Sequence, residues 1–407
     1  MEFIIFEGKG CEKFYPLNLL RSTFDIRCGI FSAKERLEFF TKKKTTLFVE
    51  SSMESYIRDV YPENSINLIP KDDSLCFNSR ALISKKFYDT ILKIKDKEWI
   101  IVDLGTIIAA KLKKKNIPSN LQFFNFDFPK SFRRISLKEL NLTSECLVME
   151  YAWDAVKYLD FLLPSDLKLI CNNKFLPKKK NSGFINPKNI FLNKNVNIFP
   201  NIVLDASEGS IFIDEGTVIE PFSLIKGPVY IGKNCVIKSG AKIYGPDFIG
   251  NYSKVAGEIS HSIFHQYVNK QHDGFIGHTY ACEFINFGAD TVTSNLKNNY
   301  SKVSVTLGEK RFNTGMQFLG SLVGDHTKFG INTMMNTGTI IGIFANIAGS
   351  GFPPKFIKSF TWNIYGRDVT KYKIEEALDT AKIVMGRRGL KMSKQYENLI
   401  RSMFEKL

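Results

Sequence analysis

Hydrophobic positions along this chain follow two regimes, and the boundary between them divides the molecule. From Ile213 an isoleucine returns at every sixth residue: Ile213, Ile219, Ile225, Ile231, Ile237, Ile243 and Ile249. A helix repeats its apolar face every three to four residues and a strand every two, so neither accounts for a strict six. A hexapeptide period belongs to the parallel β-helix, where one short strand and a turn make one side of a triangular coil. Each isoleucine then points inward and stacks on its counterparts in the coils above and below. Burying one such side chain is worth roughly 1.5–3 kcal/mol, so the column forms a continuous core. The same phase returns at Val323, Phe329, Met335, Ile341 and Ile347. The pattern predicts a solenoid over most of 190–350.

Residues 1–175 have another texture. Apolar runs at Phe3–Phe6, Thr46–Val49 and Trp99–Val102 alternate with helix-like stretches at Ala33–Thr41 and Asp154–Leu162. That alternation predicts an α/β layer with a partly parallel sheet, a fold that binds ligands in the loops at the carboxyl ends of its strands. Phe175–Ser182, with Pro177 and three lysines, reads as a linker. After Pro353-Pro354 the six-residue period stops, and Thr370–Arg387 and Ser393–Lys406 show helical spacing. An open solenoid end needs covering, so this tail is read as a cap or an intersubunit strut. The expected layout is an α/β domain over 1–175, a linker over 176–188, a left-handed parallel β-helix over 189–350 and a helical tail over 351–407.

Composition narrows the function classes. A hydrophobic content of 44% and a charged content of 24% are globular values. No run approaches the roughly 18 apolar residues of a membrane span, and the first residues lack the basic start and apolar stretch of a signal peptide. Seven scattered cysteines without a C-x-x-C pair point to reduced thiols, a cytoplasmic setting and no zinc site. The net charge of +15 is mostly lysine in runs such as Lys42–Lys44 and Lys113–Lys115. No nucleic-acid-binding motif accompanies it, so the charge is read as solvated surface whose field favours anionic substrates.

Candidate chemistry concentrates in two places. All five histidines (His261, His265, His272, His278 and His326) fall in one 66-residue stretch, with none in the preceding 260 positions. The regular phase lapses there, passing through Val255, His261 and Tyr267, and the lapse is read as a loop excursion carrying a binding site. It contains Asn269-Lys270-Gln271-His272-Asp273-Gly274 and, further on, Phe284–Thr291 and Ser294–Asn298. Near the N-terminus Gly8-Lys9-Gly10 follows the first strand as a short turn. Asp103 ends the Trp99 strand.

These blocks resemble the acetyltransferase half of the bifunctional N-acetylglucosamine-1-phosphate uridylyltransferase/glucosamine-1-phosphate acetyltransferase family. Over the whole chain the resemblance is closer to a related two-domain sugar nucleotidyltransferase family, through Leu204-Asp205-Ala206, Gly227–Gly232, Asn269–Gly274, Leu296-Lys297-Asn298 and Gly324-Asp325-His326. The resemblance implies a sugar-nucleotide enzyme, with nucleotidyl transfer in the first domain and acyl transfer in the solenoid. It implies His272 as the base, Asn286 and Asn295 as sugar-binding groups, and Ala289 and Ser321 on the acetyl- or acyl-coenzyme A side. Lys270 and Lys302 would pair with phosphate. In the first domain it implies Gly8, Gly10, Arg21 and Arg27 at the nucleotide, and Asp103 on a magnesium ion. The implied partners are a sugar phosphate, a nucleoside triphosphate, acyl-coenzyme A and two further copies of the chain in a homotrimer.

Several positions depart from the pattern. Phe275 and Leu296 stand where the family has tyrosines, Ser260 where a lysine is expected, and Glu12 where the phosphate loop carries an arginine. An enzyme with one live site, or a non-catalytic trimeric scaffold, therefore stands beside the two-activity reading. The stacked core carries its own test. Ile231→Asp places a charge inside the column and should cost several kcal/mol, read as a large drop in the melting midpoint. A variant melting like the parent would remove Ile231 from the interior.

Overall fold

The computed structural model describes residues 1–117, 132–172, 175–177, 183–365 and 369–407. They form two compact units, one of residues 1–27, 31–152 and 393–400, the other of 28–30, 153–392 and 401–407. Part of the expected linker, 178–182, lies outside the described residues.

In the first unit the strands are β1 (Glu2–Phe6), β2 (Thr46–Phe48), β3 (Ser74–Asn78), β4 (Ala81–Ile83), β5 (Trp99–Asp103), β6 (Thr106–Leu112), β7 (Arg133–Ser136) and β8 (Cys146–Val148). The main sheet runs β2-β1-β3-β6-β5-β7 and is parallel except for β6. The run Phe3–Phe6 is buried throughout, as expected for a strand covered on both faces. Helix α1 (Ala33–Thr41) starts at Ser32, where Ser32 Oγ accepts the Glu35 N–H at 3.3 Å and Glu35 accepts the Ser32 N–H at 3.0 Å. That reciprocal cap satisfies two otherwise orphaned amides. The loops after β1, β2, β3 and β5 emerge at the same carboxyl edge, and this edge is where chemistry can be placed.

In the second unit the six-residue period becomes a three-faced coil. One face stacks nine strands from Ile190–Leu192 to Phe356–Ile357. Ile213 pairs with Ile231 and Ile231 with Ile249 on that face, Ile219 with Ile237 on the second and Ile225 with Ile243 on the third. All seven isoleucines are buried in one core. One corner between faces is built from Tyr252, Tyr267, Phe284, His326, Phe344 and Phe360, all at φ between 54° and 60°. The left-handed backbone region is unfavourable for such residues. Their rings stack in sequence with centroids 4.5–5.2 Å apart, which offsets the strain.

Three expectations need correction. Residues 255–291 do not leave the coil; they tighten it. The bond from the Cys235 N–H to Thr217 spans 18 residues, whereas that from the Val268 N–H to Ser253 spans 15. A changed coil length erased the period without any excursion. The real insertion lies further on: the chain leaves after Leu296, forms an antiparallel hairpin of Ser304–Leu307 with Lys310–Asn313, and returns at Phe318, which bridges to Leu296. The coil also continues past the expected boundary at 350, because Phe356–Ile357 pairs in parallel with Ile340–Ile341 and Thr361–Tyr365 with Asn346–Gly349. Finally, the helices at Asp154–Lys157 and Leu159–Ile170 belong to the solenoid unit, where the latter packs on strands Val229–Ile231 and Asp247–Ile249. The tail forms two helices, Ile374–Gly386 and Lys394–Lys406, close to the predicted spans.

One inward position is an acid. Asp247 precedes Ile249 by two, so both point inward. It is fully buried, with Oδ1 accepting the Ser262 N–H at 2.7 Å and Oδ2 without a partner among the described residues. Burial lifts its pKa well above the usual carboxylate range, against the lowering effect of the Ser262 amide. The folded protein therefore holds a proton that the unfolded chain releases above about pH 4, and stability falls as pH rises from there toward the folded pKa. Asp247→Asn removes that penalty. Its melting midpoint should exceed the parent's at pH 7, and the difference should close toward pH 3.5; equal midpoints at pH 7 would contradict a protonated Asp247.

Candidate functional site

The solenoid carries a groove on its third face, across strands Val292–Thr293 and Met334–Met335. Toward one corner a cavity of about 680 Å³ is lined by Asp290, Val292, Ile331, Met334 and the backbone of 348–351. Toward the other corner a cavity of about 510 Å³ is lined by Leu296, Lys297, Asn336, Thr337, Phe352 and Lys355. The coils approach very closely here: a β-carbon on Gly288 would lie 2.6 Å from the Gly330 backbone, so this position admits only glycine.

His272 belongs to the first corner. Asn269 bridges to Asn286 in parallel, so His272 and Ala289, each three residues further on, occupy the same place on successive coils. Ile331 takes that place one coil higher, with the Asn332 N–H donating to the Ala289 carbonyl at 2.8 Å. His272 is exposed, and its imidazole makes no hydrogen bond among the described residues. The other four histidines are engaged. His261 and His278 stack at 4.6 Å in another corner, and His278 stacks again on Phe318. Asn295 Nδ2 donates to His278 Nδ1 at 3.0 Å, which leaves the ring proton on Nε2. Burial, then the neighbouring His261, push the His278 pKa down to about 3, so it stays neutral. His265 Nδ1 lies 3.0 Å from Glu283, and His326 is buried in the aromatic corner.

The remaining expected residues do not converge on His272. Asn286 Oδ1 accepts from Asn269 Nδ2 at 2.8 Å, a rung of an asparagine ladder on the second face. Asn295 sits at the His278 corner. Ser321 is fully buried, with its hydroxyl directed at Met335 Sδ at 3.6 Å, so it cannot line an acyl cleft. Lys270 is the clearest correction. It pairs with Val255 at an inward position and is fully buried, and its Nζ donates to the carbonyls of His272 and of Asp273, the latter at 2.6 Å. Burial depresses its pKa to about 8 against the raising effect of Asp273 and Asp290. This amine holds the turn that presents His272 and cannot reach an external phosphate. Lys302 is exposed at the foot of the hairpin, where its carbonyl accepts from Lys297 Nζ at 2.6 Å.

The cations that line the second cavity, Lys297 and Lys355, were given no role from the sequence, and Arg311 acts on Lys355 from nearby. Lys355 Nζ reaches Thr337 Oγ1 at 3.4 Å. Burial, then Lys297 and Arg311, lower its pKa. The three positive charges meet because the hairpin insertion brings Lys297 and Arg311 to a coil-borne lysine. The sequence reading placed neither the hairpin nor its folding back on the coil.

In the first unit Gly8 and Gly10 lie at the carboxyl edge after β1. Gly10 has φ +96°, and its N–H donates to the Glu12 carboxylate at 2.9 Å. The expected arginines are committed elsewhere. Arg27 makes a two-pronged pair with Glu35 at 2.7 and 2.8 Å, within the cap of α1. Arg21 is buried and donates to the Leu17 carbonyl at 3.1 Å. Asp103 lies at the same edge, in the tight β5–β6 turn where it pairs with Thr106. Among the described residues no three acidic, histidine or cysteine side chains group to hold a metal. The arginine beside the glycine turn is Arg80, which the sequence reading passed over because it follows a different strand.

Residues 3–174 match the family model described as sugar nucleotidyl transferase, and residues 210–245 that described as bacterial transferase hexapeptide (six repeats). A Sulfurisphaera tokodaii protein named bifunctional sugar-1-phosphate nucleotidylyltransferase/acetyltransferase is 32% identical over 90 residues, 22% of each chain. Proteins named bifunctional protein GlmU match from Methanocaldococcus jannaschii, 30% identical over 28% of this chain and 27% of that one, and from Methanococcus aeolicus, 31% identical over 60% and 59%. The chain thus spans between about a fifth and three fifths of the curated relatives it matches.

Proposed function

We propose that this chain, a sugar nucleotidyltransferase-family domain followed by a hexapeptide-repeat solenoid, is a transferase of sugar-nucleotide synthesis. It would transfer a nucleotidyl group to a sugar phosphate in its first unit and an acyl group from acyl-coenzyme A to an amino sugar on its solenoid. The observation that carries the second activity is His272, the histidine whose imidazole is exposed and unengaged, on the corner column that reaches Ile331 of the third-face cavity two coils higher.

The groove suits an elongated thioester donor. Val292, Ile331 and Met334 offer apolar contact for an acyl chain or pantetheine arm, while Lys297, Arg311 and Lys355 offer charge for phosphates. The amine nitrogen attacks the thioester carbonyl, the new C–N bond forms, His272 takes the amine proton and the thiol leaves. The Gly288 N–H is already committed to the Phe329 carbonyl at 3.1 Å, so the adjacent Ala289 N–H is the better donor for the oxyanion. Asn286 and Asn295 would act on the sugar only through a partner surface, since they lie on other parts of the coil. In the first unit, magnesium would neutralise triphosphate charge; Asp103 is the carboxylate at that edge to hold it, with the ligand's own phosphates completing the set.

His272→Ala should lower acyl transfer by roughly 100- to 10,000-fold with donor binding retained. Thiol release from acetyl-coenzyme A with amino sugars reads this out; an unchanged alanine variant removes His272 from the reaction. The exposed groove also fits a shared cleft completed by a second copy, so the protein should be a homotrimer. Light scattering at micromolar concentration should return three chain masses, and a monomer mass would exclude the shared cleft.

A further inference from the structure

The second face of the coil carries a polar column. Parallel register places Asn286 over Asn269, Lys328 over Asn286 and Asn346 over Lys328. Each stands one residue before an inward side chain (Lys270, Phe287, Phe329 or Ile347) and so points outward. Asn269 Nδ2 donates to Asn286 Oδ1 at 2.8 Å, so the column begins as an amide ladder. Lys328 interrupts it. Its Nζ donates to the carbonyls of Phe284 at 2.7 Å and His326 at 3.0 Å. An ammonium has three protons, and the third finds no acceptor among the described residues. The Asn346 side chain on the next coil makes no hydrogen bond among them either.

Arg388 brings a second cation to Lys328. It lies just beyond the helix Ile374–Gly386, half-buried, with its Nε enclosed and without a partner. Its guanidinium makes no hydrogen bond or ion pair among the described residues. Nor does it close the helix end, because backbone amides of 387, 388 and 390 already occupy the Ile383 and Met385 carbonyls at 2.9–3.0 Å. Burial lowers the Lys328 pKa to about 7, and Arg388 lowers it as well. Burial, then Arg387, lowers that of Arg388, against the raising effect of Tyr267. Glu283, the acid that acts on Tyr267, is engaged with His265 at 3.0 Å and Gln266 at 2.9 Å. Two cations are thus close enough to repel, partly out of solvent and without a counter-ion, which an anion between them would stabilise.

We propose that Lys328, Asn346 and Arg388 form a binding site for a phosphate group on the second face of the solenoid. All three side chains offer donors and none of the offered protons has an acceptor, so the missing partner is an oxyanion. A carboxylate has two oxygens for an arginine fork, an ammonium and an amide; a phosphate has enough for all three. The site shares no residue with the third-face groove or with the first unit, and it depends on neither the acyl nor the nucleotidyl reading.

The test is calorimetric titration of the full chain with inorganic phosphate and, in a second arm, with glucose-1-phosphate. The parent should bind, and Arg388→Gln should weaken that binding by about tenfold or more while the variant still melts cooperatively. Absence of binding to the parent in both arms, or equal affinity in a folded Arg388→Gln variant, overturns the proposal. Where Arg388→Gln fails to fold, Asn346→Ala decides, since it removes an amide that no other group uses: several-fold weaker binding supports the site and unchanged affinity overturns it. The two arms separate the sources of the phosphate. Tighter Arg388-dependent binding of glucose-1-phosphate assigns the site to a phosphate monoester, and tighter binding of inorganic phosphate assigns it to the free ion.

Discussion

The solenoid depends on one constraint: each coil must offer an inward side chain that the next coil can cover. Neighbouring coils bond through their backbones, so the spacing between them is fixed and each inward side chain must fit against the one in the next coil. Isoleucine meets that demand seven times running. Where another residue takes the place, something visible follows. Asp247 keeps a proton, and Lys270 requires two carbonyls brought to it.

Chemistry is pushed outward by the same constraint. Faces are consumed by pairing and the interior by packing, which leaves corners and insertions as the places where side chains remain free. His272 stands at a corner, and Lys297 and Arg311 arrive on an insertion. The corner conformation is itself costly for residues with side chains, and here it is held by a column of stacked rings that includes His326. Histidine in such a fold therefore has two quite different employments, and ring stacking against neighbouring coils distinguishes them. The first unit solves the same problem in its own way, by collecting loops at the carboxyl ends of parallel strands.

Most of the coil was legible in the sequence because its period is a direct image of its geometry, from Ile213 to Ile249. The tightened coils at 255–291 were not, since a shortened coil shifts the phase as a loop would in a linear reading; only coil-to-coil pairing tells the two apart. Residue chemistry alone also misjudged Lys270, because nothing local marks a lysine as inward until Val255 is seen beneath it. Arg80 was missed for a related reason: its partner Gly10 is some seventy positions away, and sheet order brings them together. Arg27, by contrast, had its explanation close by in Glu35 and the cap of α1.

Lys270 has a consequence for how this molecule finds its own register. A repetitive column of isoleucines is nearly indifferent to being shifted by one coil, so a folding chain could pair the wrong turns at small loss. An amine that is tolerated only where the carbonyls of His272 and Asp273 converge breaks that degeneracy. Displaced by a coil, it would sit among hydrocarbon with nothing to accept its protons. One awkward residue thus acts as an address in an otherwise uniform stack, and it lies two positions before the histidine whose placement matters most.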